Sequence, residues 1–153
     1  MRNLSYHRAW NSAKLERKKQ EFWRTINGNF IDTAVLEWCK VFGDPRAMHH
    51  WSKCVGDTAK FSEGLWAVTG KTKEEFEQYR LLVRAYRDKF VAHLDDLNQM
   101  QIPDLQPALE SVRYLYQYLV DSEDDVNAFV DLPQNASRYY QTHLSVGKAG
   151  HRE

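Results

Sequence analysis

The chain has 153 residues, 42% of them hydrophobic and 13% aromatic, with 21 Lys plus Arg balancing 21 Asp plus Glu. That length suits one domain spanning 1–153, the aromatic content excludes a disordered chain, and the charge balance excludes a whole-molecule basic field that would draw it to nucleic acid. Cys39 and Cys54 belong to no Cys-x-x-Cys pair, so neither a disulfide framework nor a structural zinc site is expected. With no leader-like start and no apolar run long enough for a bilayer, the expectation is a soluble cytoplasmic protein with no membrane partner.

The apolar residues recur at helical spacing almost throughout, which predicts an all-α, up-and-down bundle of about five to six helices. A first helix is expected through Trp10, Leu15, Phe22 and Ile26, with Asn27-Gly28-Asn29 as a stop or bend. A second carries Ile31, Val35, Trp38 and Phe42 and ends at Gly43-Asp44-Pro45. After a loop holding His49, His50 and Trp51, a third holds Phe61, Leu65 and Val68 and stops near Gly70.

Thr72-Lys73-Glu74-Glu75 reads as a capping box opening the longest helix, with the register Phe76, Tyr79, Val83, Tyr86, Phe90, Leu94 and Leu97. Pro103 separates it from a fifth helix with Leu105, Leu109, Val112, Leu115 and Leu119 on one face. Ser122 and Asp125 suggest a cap for a short sixth helix over Val126 to Val130. Tyr139 and Tyr140 then dock on the body, and a flexible tail is expected after about 146.

Charge is uneven along the chain: the first two dozen residues are basic, and the stretch from Asp95 to Asp131 is acidic. Solvated helix faces that attract one another account for this, and so does a basic arm for RNA.

Within the longest helix, Arg87 and His93 are the two side chains that phosphate chemistry without a metal needs. One is a permanently charged donor fork, and the other exchanges a proton near neutral pH. On an α-helical projection centred on Phe90 they lie at about +60° and −60°, one at each margin of the apolar stripe. In a single straight helix they do not face each other, whereas a two-fold pairing of stripes brings the arginine of one copy toward the histidine of the other. A core-edge histidine and an arginine paired with Asp88, Asp95 or Asp96 is the purely structural alternative.

The run Tyr86-Arg87-Asp88-Lys89-Phe90-Val91-Ala92-His93-Leu94-Asp95 resembles the signature of the HEPN superfamily. Its Ala-His-Leu-Asp ending, with Trp38 and Phe42-Gly43 upstream, is most similar to the abortive-phage-infection group. The resemblance implies a homodimeric bundle that cuts RNA without a metal or other cofactor. His93 would move the proton at the ribose hydroxyl or leaving oxygen, and Arg87 would stabilise charge on the phosphate. It also admits an antitoxin or other partner protein, and members that bind RNA or nucleotide without cleaving. Asp88, the third candidate of the catalytic group, stands where many members have a neutral polar residue; it orients the neighbouring groups or repels phosphate. Arg84 and Lys89 are candidates for the flanking phosphates, and Tyr86 for a base, although its register also suits core packing.

Other signals carry less. His49 and His50 lack a ligand at zinc spacing, no phosphate-binding glycine loop is present, and Asn135-Ala136-Ser137 matches a glycosylation acceptor, which has no consequence in the cytoplasmic protein expected.

Overall fold

The computed structural model describes residues 1–91, 101–122 and 131–152. Among the described residues the protein is all-α, with no strand. The helices are α1 (Arg2–Ala9), α2 (Leu15–Lys19), α3 (Glu21–Trp38), α4 (Thr58–Thr69), α5 (Lys73–Tyr86), α6 (Gln106–Ser122) and α7 (Ala136–Arg152). Short 3₁₀ turns occupy Trp10–Ser12 and Trp51–Lys53, and single π-helical turns extend α3 over Cys39–Gly43 and α5 over Arg87–Val91.

Local chemistry explains the boundaries. Thr72 and Glu75 form a reciprocal capping box, with the Glu75 N–H donating to Thr72 Oγ1 at 3.2 Å and the Thr72 N–H to Glu75 Oε2 at 2.8 Å. Gly70 ends α4 in the left-handed conformation at φ +63°, which only glycine adopts without strain. Asp57 caps α4, and Asn135 caps α7 by accepting from the Arg138 N–H at 2.8 Å. The latter gives the Asn-Ala-Ser triplet a structural reason to be there.

Three expectations from the sequence change. The predicted first helix is broken into a 3₁₀ turn, α2 and the start of α3, because its apolar residues do not share a buried face: Leu15 is 62% and Phe22 67% exposed. Asn27-Gly28-Asn29 neither stops nor divides the next segment but lies inside α3. An interior glycine costs only about 1 kcal/mol, less than burial of the flanking apolar residues returns. Residues 147–152, read as tail, continue α7, with Gly147 packed so closely on α1 that an added Cβ would lie 2.8 Å from the Ala9 Cβ. The helix expected over Val126 to Val130 lies outside the described residues.

The chain divides into two compact units, Met1–Ala34 with Asp124–Glu153, and Val35–Glu123. In the first, α7 lies along α1. Tyr6 packs on Phe30 and His143, and buried His151 sits edge-on to Trp10 and Trp23. Tyr140 is buried there as expected, with Arg8 donating to its hydroxyl.

The second unit has an aromatic core. Trp38 stacks on Phe42 at 5.4 Å, Tyr79 and Phe76 meet them edge-on, and Phe61 joins Trp51 to Tyr114 and Tyr118. Fully buried Ser111 accepts from Trp38 Nε1 at 2.9 Å and donates to the Ala108 carbonyl at 2.8 Å. The Tyr79 hydroxyl ties α5 to the start of α6 by donating to the Asp104 carbonyl and accepting from the Ala108 N–H. No helix among the described residues is long and apolar enough to cross a membrane.

Candidate functional site

The α5 stripe Phe76, Tyr79, Val83 and Tyr86 is buried, which fixes the rotation of the helix. Arg80, Arg84 and Arg87, spaced by four and three, then fall in a row beside the turn Cys39–Gly43. Each has a different task. Arg80 is nearly buried; it donates to the Gly43 carbonyl, which the π turn leaves open, and forks onto Glu77. Arg84 is further out, with Nε 3.7 Å from Asp88 Oδ2.

Arg87 donates through Nε at 2.8 Å and Nη2 at 2.5 Å to Asp88 Oδ1. Its other terminal nitrogen reaches over Gly43, where an added Cβ would lie 3.9 Å from Nη1 and 3.1 Å from the Cys39 Cβ. A side chain at Gly43 would thus crowd the Cys39 Cβ first, while the guanidinium lies at ordinary contact distance.

The electrostatics follow from burial and from the charges and N–H groups around this row. Burial pushes the Cys39 thiol up to about 11, outweighing the opposing pull of Arg87, Arg84 and Arg80, so the thiol beside this row stays protonated near neutral pH. Asp44 is held below the usual carboxylate range, chiefly by the Arg46 N–H with smaller help from the Arg46 and Arg84 charges. Glu77 is lowered by its hydrogen bonds from Arg80.

Of the residues singled out in the sequence, Arg84, Arg87 and Asp88 meet in one cluster. Lys89 is exposed. Tyr86 is 3% exposed, so its ring is core and has no face for a base. His93 lies outside the described residues, as do Leu94 and Leu97 of its register. The helical projection does not carry across to it, because Arg87–Val91 is a π turn with more residues per turn than the α-helix assumed.

Sequence reasoning missed Arg80 and Gly43 as positioning residues. Arg80 carries a signal in its four-residue spacing from Arg84; Gly43 reads as a helix stop and as part of the family resemblance, and neither reveals its open carbonyl. His50 accepts from the Ser52 N–H at 3.3 Å and so caps the turn Trp51–Lys53. Among the described residues no group of three His, Cys, Asp or Glu side chains is placed to hold a metal.

The arrangement can hold an anion between two guanidinium groups, and its own anion is the Asp88 carboxylate. The chain matches no family model, no curated protein and no solved structure.

Proposed function

We propose that this protein is a HEPN-like homodimeric endoribonuclease that works without a metal, an effector of phage defence or a toxin held in check by a partner protein. The observation that supports the reading best is the Arg87 guanidinium oriented by Asp88 at a π turn, six residues ahead of His93. π turns recur at functional sites because they re-aim side chains. A phosphate offers Arg87 and Arg84 the same oxygen geometry as the carboxylate they now share.

In this mechanism the ribose 2′-oxygen attacks the adjacent phosphorus and the bond to the 5′-oxygen breaks, leaving a cyclic phosphate and a 5′-hydroxyl. The 2′-hydroxyl loses a proton and the leaving 5′-oxygen gains one; His93 makes one of these transfers and solvent water the other, and Arg87 stabilises the charge gained by the phosphate. Arg84 and Lys89 hold flanking phosphates.

The same ion pair favours a second reading, a non-catalytic module binding RNA, nucleotide or a protein: Asp88 occupies Arg87 and repels phosphate. Incubating RNA with wild type and His93→Ala in the presence of a chelator, followed by end-group analysis, separates the two. Cyclic phosphate ends made by wild type alone support the ribonuclease, and intact RNA in both reactions rejects it for that substrate.

A further inference from the structure

We infer that the unit formed by α1, α2, the start of α3 and α7 carries a binding face for single-stranded nucleic acid at the bend between α2 and α3. This goes beyond the ribonuclease reading and does not rest on it. The helices α1 and α7 pack along each other and contain no acidic residue of their own, while Arg2 on α1 and Arg138 and Lys148 on α7 are exposed, so these two helices contribute only positive side-chain charge.

At the bend, Lys14, Lys19 and Arg24 are exposed, with Glu16 and Glu21 the nearest carboxylates in sequence. The bend is anchored: Arg17 donates to the Gly150 carbonyl at 2.7 Å and lies over the Trp23 ring at 4.2 Å. Phe22 stands edge-on to Trp23 and is 67% exposed. An exposed ring among lysines is the arrangement that stacks a base while cations follow the backbone, without sequence preference. A lipid surface fits less well, since α2 has five residues and Leu15 is its only apolar one, too little for an interfacial helix.

The test is fluorescence anisotropy of the full chain with a labelled single-stranded DNA of about 20 nucleotides, long enough for one such site and lacking the 2′-hydroxyl that the proposed cleavage uses. Lys14→Glu with Lys19→Glu is expected to weaken binding about tenfold and flatten its salt dependence. Phe22→Ala, which removes only an exposed ring, is expected to weaken it about fivefold with the salt slope unchanged. Lys60→Glu, exposed on α4, serves as the control and is expected to leave binding as it is. No binding by wild type, undiminished binding by the double variant and by Phe22→Ala, an equal loss in Lys60→Glu, or capture by phosphatidylserine vesicles in place of the oligonucleotide overturns the proposal.

Discussion

Arg87 and Asp88, adjacent in the chain, form a closed ion pair in which two guanidinium nitrogens share one carboxylate oxygen at 2.8 and 2.5 Å. Neighbours on a helix normally diverge. Here the arginine bends back along its own turn, and Arg84 leans toward the second oxygen of the same carboxylate. Among the described residues, Asp88 is the carboxylate that both arginines share, and it occupies the position between them that another anion would take.

On the proposed RNA cleavage, Asp88→Asn is expected to raise kcat/KM several-fold by freeing both arginines, while Arg87→Ala lowers it at least about a hundredfold. The pair is half-exposed, so stability changes by less than about 1 kcal/mol in Asp88→Asn. Initial rates across RNA concentrations check this. A fall in Asp88→Asn would instead assign the carboxylate to holding Arg87 in place.

Two glycines should respond oppositely. Gly28 lies inside α3 with open space where a Cβ would go, so Gly28→Ala is expected to stabilise by up to about 1 kcal/mol. At Gly147 the Cβ would meet the Ala9 Cβ at 2.8 Å and the Tyr6 Cδ1 at 3.1 Å, and the alanine carbon, fixed directly to its backbone, cannot swing aside. Gly147→Leu is expected to cost about 2–3 kcal/mol and to expose α7 first, read as faster amide exchange in that helix.

These glycines also show what the sequence made legible and what it did not. The helical period, the Thr72 capping box and the Gly70 stop are local chemistry, and they read correctly. Whether a glycine interrupts a helix depends on what packs beside it, so Gly28 misled as a breaker and Gly147 as the start of a tail. The Arg87 and Asp88 motif was visible as residue types. An ion pair with Asp88 was among the alternatives that the residue types allow; the π turn at which it forms was not legible, since an ordinary α-helical step hides it. Arg80 and Gly43 meet across residues far apart in sequence, which no local pattern reveals.

Ser111 is the polar pin of the aromatic core. Ser111→Ala leaves the buried Trp38 N–H without its acceptor at 2.9 Å. The expected loss is about 1–3 kcal/mol, the desolvation cost of an unpaired buried donor, and not the smaller net worth of one hydrogen bond. Urea denaturation should show a lower midpoint with an unchanged slope.

Acid should loosen the protein through histidines before it reaches the carboxylates. His151 and His143 are both held below the usual histidine value of 6.5, first by burial; Arg2 and the chain's amino terminus add to this at His143, and Arg17 at His151, where a hydrogen bond with the Tyr6 backbone acts the other way. His50 is lowered by burial, Arg80 and Lys53, with Asp44 opposing. The unfolded chain therefore binds protons that the folded chain resists. Their stability contribution is whole above about pH 6.5 and declines as pH falls below it, until the folded histidines also protonate. Asp44 and Glu77, both lowered, weaken the fold in the same direction but only below about pH 4. Wild type is thus expected to unfold at lower temperature at pH 5.5 than at pH 7.5, and His151→Phe, which keeps an aromatic ring beside Trp10 and Trp23 without a titrating nitrogen, to show a smaller decline. Thermal melts of the two proteins at both pH values decide it, and equal declines would remove His151 from the effect.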